Sequence, residues 1–257
     1  LSKTDIQLPL IVLFIHDGHG FYDKIGTDLA VVHMGFLLPG NILRHASSEQ
    51  KRIVDTDFEN LLKTKNVPLY TLETGMPLCE TDVIGFSLGY ELGITNVLSC
   101  LDLGGVPLTA EERKENDPIV IAGGCGVTNP APISDFFDAV FIGEAENTFF
   151  EIIEQLSEIK ESGASRNELL KFLDEHPNVW TKNGAINSGK TARKAFWNEF
   201  GLVPSVQSWF PLSNQKAVQE HGVVEIMRGC PNGCRFCHAG VYYRPQRIKS
   251  KELIIQL

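Results

Sequence analysis

Asp82-Val83-Ile84-Gly85-Phe86-Ser87 is a short apolar, β-branched run that ends on a small polar residue and opens into Leu88-Gly89-Tyr90. Pro118-Ile119-Val120-Ile121-Ala122, followed by Gly123-Gly124, has the same form. Each predicts a β-strand that stops at a turn. Working outward, residues 10–15, 67–72 and 139–142 read as further strands. Between the strands, apolar residues recur every three or four positions over 56–65, 92–103 and 146–159, which predicts helices. Strands alternating with helices predict an α/β fold, a doubly wound parallel sheet with helices on both faces, over residues 1–160. Such sheets bind ligands at the carboxyl ends of their strands, here residues 16–20, 87–90, 123–126 and 143–146.

A chain of 257 residues, 43% hydrophobic and 21% charged, can bury a substantial core in one large or two smaller domains. No apolar run reaches the roughly 18 residues of a membrane span. The run over 9–15 has strand length and lacks a basic leader or a cleavage site, so a cytoplasmic protein with no membrane partner is expected. The net charge is −9, but the end after His221 carries Arg228, Arg235, Arg244, Arg247, Lys249 and Lys251 against Glu225 and Glu252. That basic end suits a phosphate- or carboxylate-bearing ligand, or equally an interdomain surface. The chain begins at Leu1 and stops inside a helix that Ser250 can cap, so both ends read as cut and the last domain as incomplete.

Residues 161–220 are less regular and read as a linker, with a short helix over 167–175 and an aromatic pair, Trp209-Phe210. At Gly222 a strand, Val223-Val224-Glu225-Ile226-Met227, opens a new domain over 221–257 and runs into Arg228-Gly229-Cys230. No internal repeat is present.

Of six cysteines, three fall within eight residues: Cys230-Pro231-Asn232-Gly233-Cys234-Arg235-Phe236-Cys237, or C-x3-C-x2-C. This is not the dispersed pairing of a secreted disulfide framework. Cys79, Cys100 and Cys125 read as small buried hydrophobes. A loop this compact can set three thiolates on one face of a cuboidal [4Fe-4S] cluster, and three protein ligands leave the fourth iron open to a substrate. Pro231 and Gly233 supply the turn chemistry. The alternative is structural zinc held by Cys230, Cys234, Cys237 and His238. With zinc, the chain would be a non-catalytic binding module whose basic end contacts nucleic acid.

The loop resembles the signature of the radical SAM superfamily, down to Phe236 before the third cysteine and the strand before the first. The resemblance implies a partial (β/α) barrel whose first strand is 223–227, with the cluster at its carboxyl end. It implies that Cys230, Cys234 and Cys237 each hold one iron, and that Phe236 lies beside the adenine of S-adenosylmethionine. The implied chemistry is electron transfer from the reduced cluster to S-adenosylmethionine, giving methionine and a 5'-deoxyadenosyl radical that abstracts hydrogen. Implied partners are an electron donor such as flavodoxin or ferredoxin and an unnamed substrate: RNA, protein or a small molecule. A chain without the later barrel strands is expected to be inactive by itself.

Asp82-Val83-Ile84-Gly85-Phe86-Ser87, Val120-Ile121-Ala122-Gly123-Gly124 and Phe141-Ile142-Gly143-Glu144-Ala145-Glu146 extend the resemblance to radical SAM proteins with an N-terminal cobalamin-binding-like domain, in particular a largely uncharacterised bacterial group. This implies Gly123 and Gly124 in a cobalamin pocket and a cobalamin-assisted methylation. The motif D-x-H-x-x-G of such domains is matched by Asp17 and His19 but broken by Tyr22, and Ser87-Leu88-Gly89 departs from S-x-L. His19 therefore reads as a polar loop residue, and a corrin, if bound, needs no histidine from here.

Gly184-Ala185-Ile186-Asn187-Ser188-Gly189-Lys190-Thr191 satisfies the P-loop pattern. A phosphate cradle needs a buried strand before it and a helix after it, whereas the preceding stretch is polar and short. No nucleotide site is expected. Glu144 and Glu146 read as structural, with Glu146 and Asn147 at a helix start. Tyr242, Tyr243, Arg244 and Arg247 read either as walls of the adenosyl or substrate pocket or as packing against the first domain.

Overall fold

A computed structural model describes residues 12–16, 32–33, 56–71, 75–202 and 225–255, with side chains from residue 59 onward. The strands of the first unit are β1 (Val12–His16), β2 (Val32–His33), β3 (Val83–Ser87), β4 (Ile119–Gly123), β5 (Ala139–Phe141) and β6 (Val179–Trp180). They form one sheet in the order β2-β1-β3-β4-β5-β6. All neighbours are parallel except β6, which runs antiparallel to β5. The register pairs His16 with Ser87 and Ser87 with Gly123, so the carboxyl ends of β1, β3 and β4 lie level along one edge.

Successive strand residues point to opposite faces, and both faces are covered. Ile84, Phe86, Val120, Ala122 and Val140 pack with Leu62 of α1 (Thr56–Lys65) and with Val97 and Leu101 of α2 (Ile94–Leu103). Val83, Ile119, Ile121, Ala139 and Phe141 pack with Ile152, Ile153 and Leu156 of α3 (Thr148–Glu161) and with Leu169 and Leu173 of α4 (Arg166–Glu175). Burial on both sides is why the strands read as unbroken apolar runs. The fold is mixed α/β with a predominantly parallel sheet.

Two expectations change. Residues 67–71 form no strand. Leu69 N–H donates to Leu103 O at 2.8 Å, and an isolated antiparallel bridge pairs Tyr70 with Pro77 through Leu78 N–H to Leu69 O at 2.9 Å and Thr71 N–H to Met76 O at 2.8 Å. The described part of the expected linker is packed structure: α4, then β6 on the free edge of β5, then α5 (Lys182–Ser188). Ser165 begins α4 with a reciprocal capping box to Glu168. Arg166 reaches Asp138, where Asp138 Oδ1 accepts from Arg166 Nη2 at 2.7 Å and Oδ2 from Arg113 Nη1 at 2.9 Å and the Val120 amide at 2.7 Å. Asp17, His19, Trp209, Phe210, Val223 and Val224 lie outside the described residues.

The last described stretch carries β7 (Met227–Arg228), α6 (Ala239–Tyr242), β8 (Arg247–Ile248) and α7 (Lys251–Ile255). Ser250 Oγ accepts from the Leu253 amide at 3.3 Å, the cap expected of α7. β7 pairs antiparallel with β8. The first strand of a partial barrel was expected here, and among the described residues no parallel barrel strand follows β7. No described helix is long and apolar enough to cross a membrane.

Candidate functional site

The cysteine loop begins at a residue that only glycine suits. Gly229 has φ +91°, and a Cβ there would lie 2.7 Å from Tyr243 O and from Gln246 Cα. From this turn the chain runs through residues 230–238 without strand or helix until α6. Cys230 and Cys237 are half-buried, Cys234 is exposed, and all three are free thiols. The Cys237 amide donates to Cys234 O at 3.2 Å, closing a turn between the last two cysteines. Phe236 is 92% exposed, which rules out a core-packing role within the described residues.

The donor set suits an iron–sulfur cluster in its chemistry: three free thiols on one short loop, with no ladder hydrogen bonds to oppose their closing together. A Cβ on Gly233 would meet nothing within 4 Å, so the loop has room to fold at its centre. The three sulfurs are not already gathered. Among the described residues no three His, Cys, Asp or Glu side chains are placed to hold a metal ion. His238, the fourth ligand of the zinc alternative, faces the sheet. Its Nε2 shares a hydrogen bond with Thr128 Oγ1 at 3.1 Å, and its ring stacks on Tyr242 with centroids 5.6 Å apart.

The loop is seated on the carboxyl edge of the sheet. The Tyr242 hydroxyl donates to Gly143 O at 3.4 Å. The Tyr243 hydroxyl and the Cys125 thiol share a hydrogen bond, and Cys125 Sγ itself donates to Gly89 O at 3.0 Å. Burial is the main cause that pushes both phenols above the usual tyrosine range. Cys125 therefore belongs to this contact rather than to the core. Cys100 does lie in the core, where burial pushes its thiol up to about 12.

Glu144 stands at the centre of the seat. Gly143, at φ +131°, lets the segment around Ala195 come so close that a Cβ would sit 2.3 Å from Ala195 N. Ala195 N–H then donates to Ile142 O at 2.9 Å, and Glu144 N–H to Ala195 O at 3.0 Å. Thus held, Glu144 Oε2 accepts from the Trp197 amide at 3.0 Å, Arg228 Nη1 at 3.2 Å and Arg247 Nη1 at 2.8 Å, while Oε1 accepts from Arg247 Nη2. Burial pushes the Glu144 carboxyl upward. The hydrogen bonds from Arg247 and Trp197, with the charges of Arg228 and Arg247, outweigh it and hold the group below the usual carboxylate range.

Arg228 also pairs with Glu146 at 2.5 Å and with Glu225 at 2.8 Å. Phe200 presents its ring to Arg228, Arg247 and Lys249 at 4.7, 5.5 and 5.3 Å. Glu144 and Glu146 were expected to be structural, with Glu146 and Asn147 at a helix start. Instead, the Asn147 N-cap makes no side-chain cap hydrogen bond, and both carboxylates pair with arginines from the far end of the chain. Tyr242 and Arg247 pack against the sheet unit. The signal for this pairing was visible as two acids at a strand end and an arginine excess after His221, but sequence separation hid which acid meets which arginine.

The P-loop pattern is inverted in space. α5 occupies its first residues and ends on Gly189, a left-handed cap, and Lys190 Nζ donates to Asp174 O. A helix before the Gly-Lys pair leaves no amide cradle for phosphate. The glycines expected in a cobalamin pocket also have a structural account. Gly124, at φ +97°, faces Leu88 O, which a Cβ would approach to 2.4 Å, and a Cβ on Gly126 would come within 2.7 Å of Tyr90 N. A Cβ on Gly123 would make only an ordinary contact, with Phe141 O at 3.8 Å. The space beside Gly124 is thus filled by the chain's own backbone, and His238 and Tyr243 lie over the adjoining loop. Close backbone packing explains the glycines at 124 and 126.

Residues 41–181 match the family described as "Radical SAM proteins, N-terminal". An uncharacterized protein of Methanocaldococcus jannaschii is 28% identical over 195 residues, which cover 75% of this chain and 38% of that protein. The chain thus spans well under half the length of this curated relative. No solved structure matches. The family match stops short of Cys230, so the cysteine loop and the family match are separate observations.

Proposed function

Because this chain belongs to the radical SAM proteins, through their N-terminal family, we propose that it joins a sheet unit to the opening of a radical SAM catalytic unit, with Cys230, Cys234 and Cys237 as ligands of a [4Fe-4S] cluster that binds S-adenosylmethionine. One observation carries the reading: a C-x3-C-x2-C loop of free thiols begins at Cys230, 49 residues after the family match ends at residue 181. When bound, such a cluster supplies one electron to the sulfonium of S-adenosylmethionine, which releases methionine and a 5'-deoxyadenosyl radical able to abstract hydrogen.

The chain's own part is to hold and orient. The three thiolates hold three irons and leave the fourth coordination site open. Gly229 turns the chain out of β7, and exposed Phe236 supplies an apolar face beside the adenine. An electron donor such as flavodoxin or ferredoxin reduces the site, and the substrate is RNA, protein or a small molecule in the cytoplasm. The strand order 2-1-3-4-5 is that of flavodoxin-type doubly wound sheets, which supports a cobalamin-like ancestry for the sheet unit. Backbone packing accounts for Gly124 without cobalamin, so cobalamin-assisted methylation stands as the secondary reading. We place the domain division after residue 202, with the catalytic unit opening near 221.

Anaerobic reconstitution of the whole protein with iron and sulfide tests the reading. About four irons per chain are expected, with an EPR signal on reduction that is lost in Cys230→Ala, Cys234→Ala and Cys237→Ala. Stoichiometric zinc with no visible absorbance sinks it.

A further inference from the structure

We infer that Glu144 is a positioning residue for the cysteine loop: one buried carboxylate clasps Arg228 and Arg247, which face each other across the neck of the loop, and so sets the loop's stance on the sheet. The inference rests on the proposed cluster role only for its meaning to catalysis. The clasp itself is a property of the chain.

The geometry has three parts. Arg228 and Arg247 are register partners in the β7–β8 ladder, and Cys230 follows Arg228 by two residues. Any rotation of that ladder swings the first cysteine. Glu144 stands at the carboxyl end of β5, only 8% exposed, and its backbone is locked by the Gly143–Ala195 bridge. It is therefore a fixed point on the rigid unit. Four N–H groups converge on it, from Trp197, Arg228 and twice from Arg247, the planar two-point grip that a carboxylate offers arginine.

The two arginines depend on it unequally. Arg228 keeps Glu146 and Glu225 if Glu144 is neutralised. Among the described residues Arg247 is left with two carbonyls, those of Trp197 and Pro245, and the ring of Phe200, and with no carboxylate. Loss of the carboxylate therefore frees β8 first and opens the neck on the side of residues 245–248, since Tyr243 keeps Cys125 and Arg244 O keeps Lys194. Tyr242 on Gly143 and His238 on Thr128 still hold α6, so the loop stays attached but is no longer fixed in angle.

The test uses the whole protein as wild type, Glu144→Gln, Glu144→Asp and Arg247→Lys, with amide hydrogen exchange before iron loading and EPR of the reduced protein after it. In Glu144→Gln, exchange over 227–248 is expected to rise at least tenfold while β3 and β4 stay as protected as in wild type. Iron is still taken up, and the EPR line broadens or shifts. Glu144→Asp keeps the charge and is expected to fall between the two. Arg247→Lys, which keeps the charge but loses the two-point grip, gives the same local loosening and serves if Glu144→Gln does not fold. Unchanged exchange over 227–248 in Glu144→Gln, or equal loosening of β3 and β4, overturns the inference. A wild type that takes up no iron while the Glu144 variants still loosen 227–248 sinks the cluster reading and upholds the clasp.

Discussion

Asp138 shows how much of this fold hangs on single side chains. It sits just before β5 with Arg113 and Arg166 on its two oxygens, the three side chains 3%, 0% and 7% exposed. Removing one member of such a buried set strands the charges that remain, at a cost of about 3–5 kcal/mol. Asp138→Ala is accordingly expected to lower the unfolding free energy measured by urea titration by that much, and Asp138→Asn, which keeps the shape but not the charge, by nearly as much. A loss under about 1 kcal/mol in both would show that the arginines find other partners. From the sequence, Asp138 was one acid among 32, and nothing near it announced Arg166 as its partner. Cys230, Cys234 and Cys237 are the opposite case, legible at once because their chemistry lies in their spacing.

Elements are legible in the sequence where they bury an apolar stripe and illegible where their structure is borrowed from a neighbour. The helix over 56–65 was placed to the residue, and those at 94–103 and 148–161 to within about two, because apolar periodicity is a local signal. β2 and β6 are two residues long and exist because a neighbouring strand offers a free edge. Their own sequences hold no pattern to detect. β7 was expected as five residues of a parallel strand and is two residues of an antiparallel pair in the described stretch. α5 makes a testable case of the same kind, since its place within Gly184–Thr191 removes the amide cradle. Titration of the protein with magnesium ATP is expected to give no heat of binding in wild type or Lys190→Ala. Binding that Lys190→Ala abolishes would restore the nucleotide reading.

For the molecule as a whole, the carboxyl edge of the sheet is the decisive place. In doubly wound sheets that edge receives ligands, and here it receives the chain's own cysteine-loop segment through Thr128, Gly143 and Glu144. The attachment has a pH dependence of known sign. The Glu144 carboxyl lies below its ordinary value when folded, so its contribution is full above the ordinary range near about 4.3 and is lost as pH falls through the lowered value. Limited proteolysis with an acid-active protease is expected to leave 225–255 resistant at pH 5 and to cut it selectively only on further acidification. In Glu144→Gln the susceptibility of that segment should not change over the same range. A wild-type transition above pH 5 would place the control in another group.

The sequence by itself determined the α/β class, the strands β3, β4 and β5, the helices that cover them, and the three cysteines, because alternation, periodicity and close spacing are written within a few residues. Only the tertiary structure decided that residues 166–202 complete the sheet unit, that Gly124 accommodates Leu88, and that Glu144 meets Arg228 and Arg247. Those facts join residues up to about a hundred positions apart. Pairing at that distance is selected by burial and geometry once the chain is packed, and no local pattern encodes it.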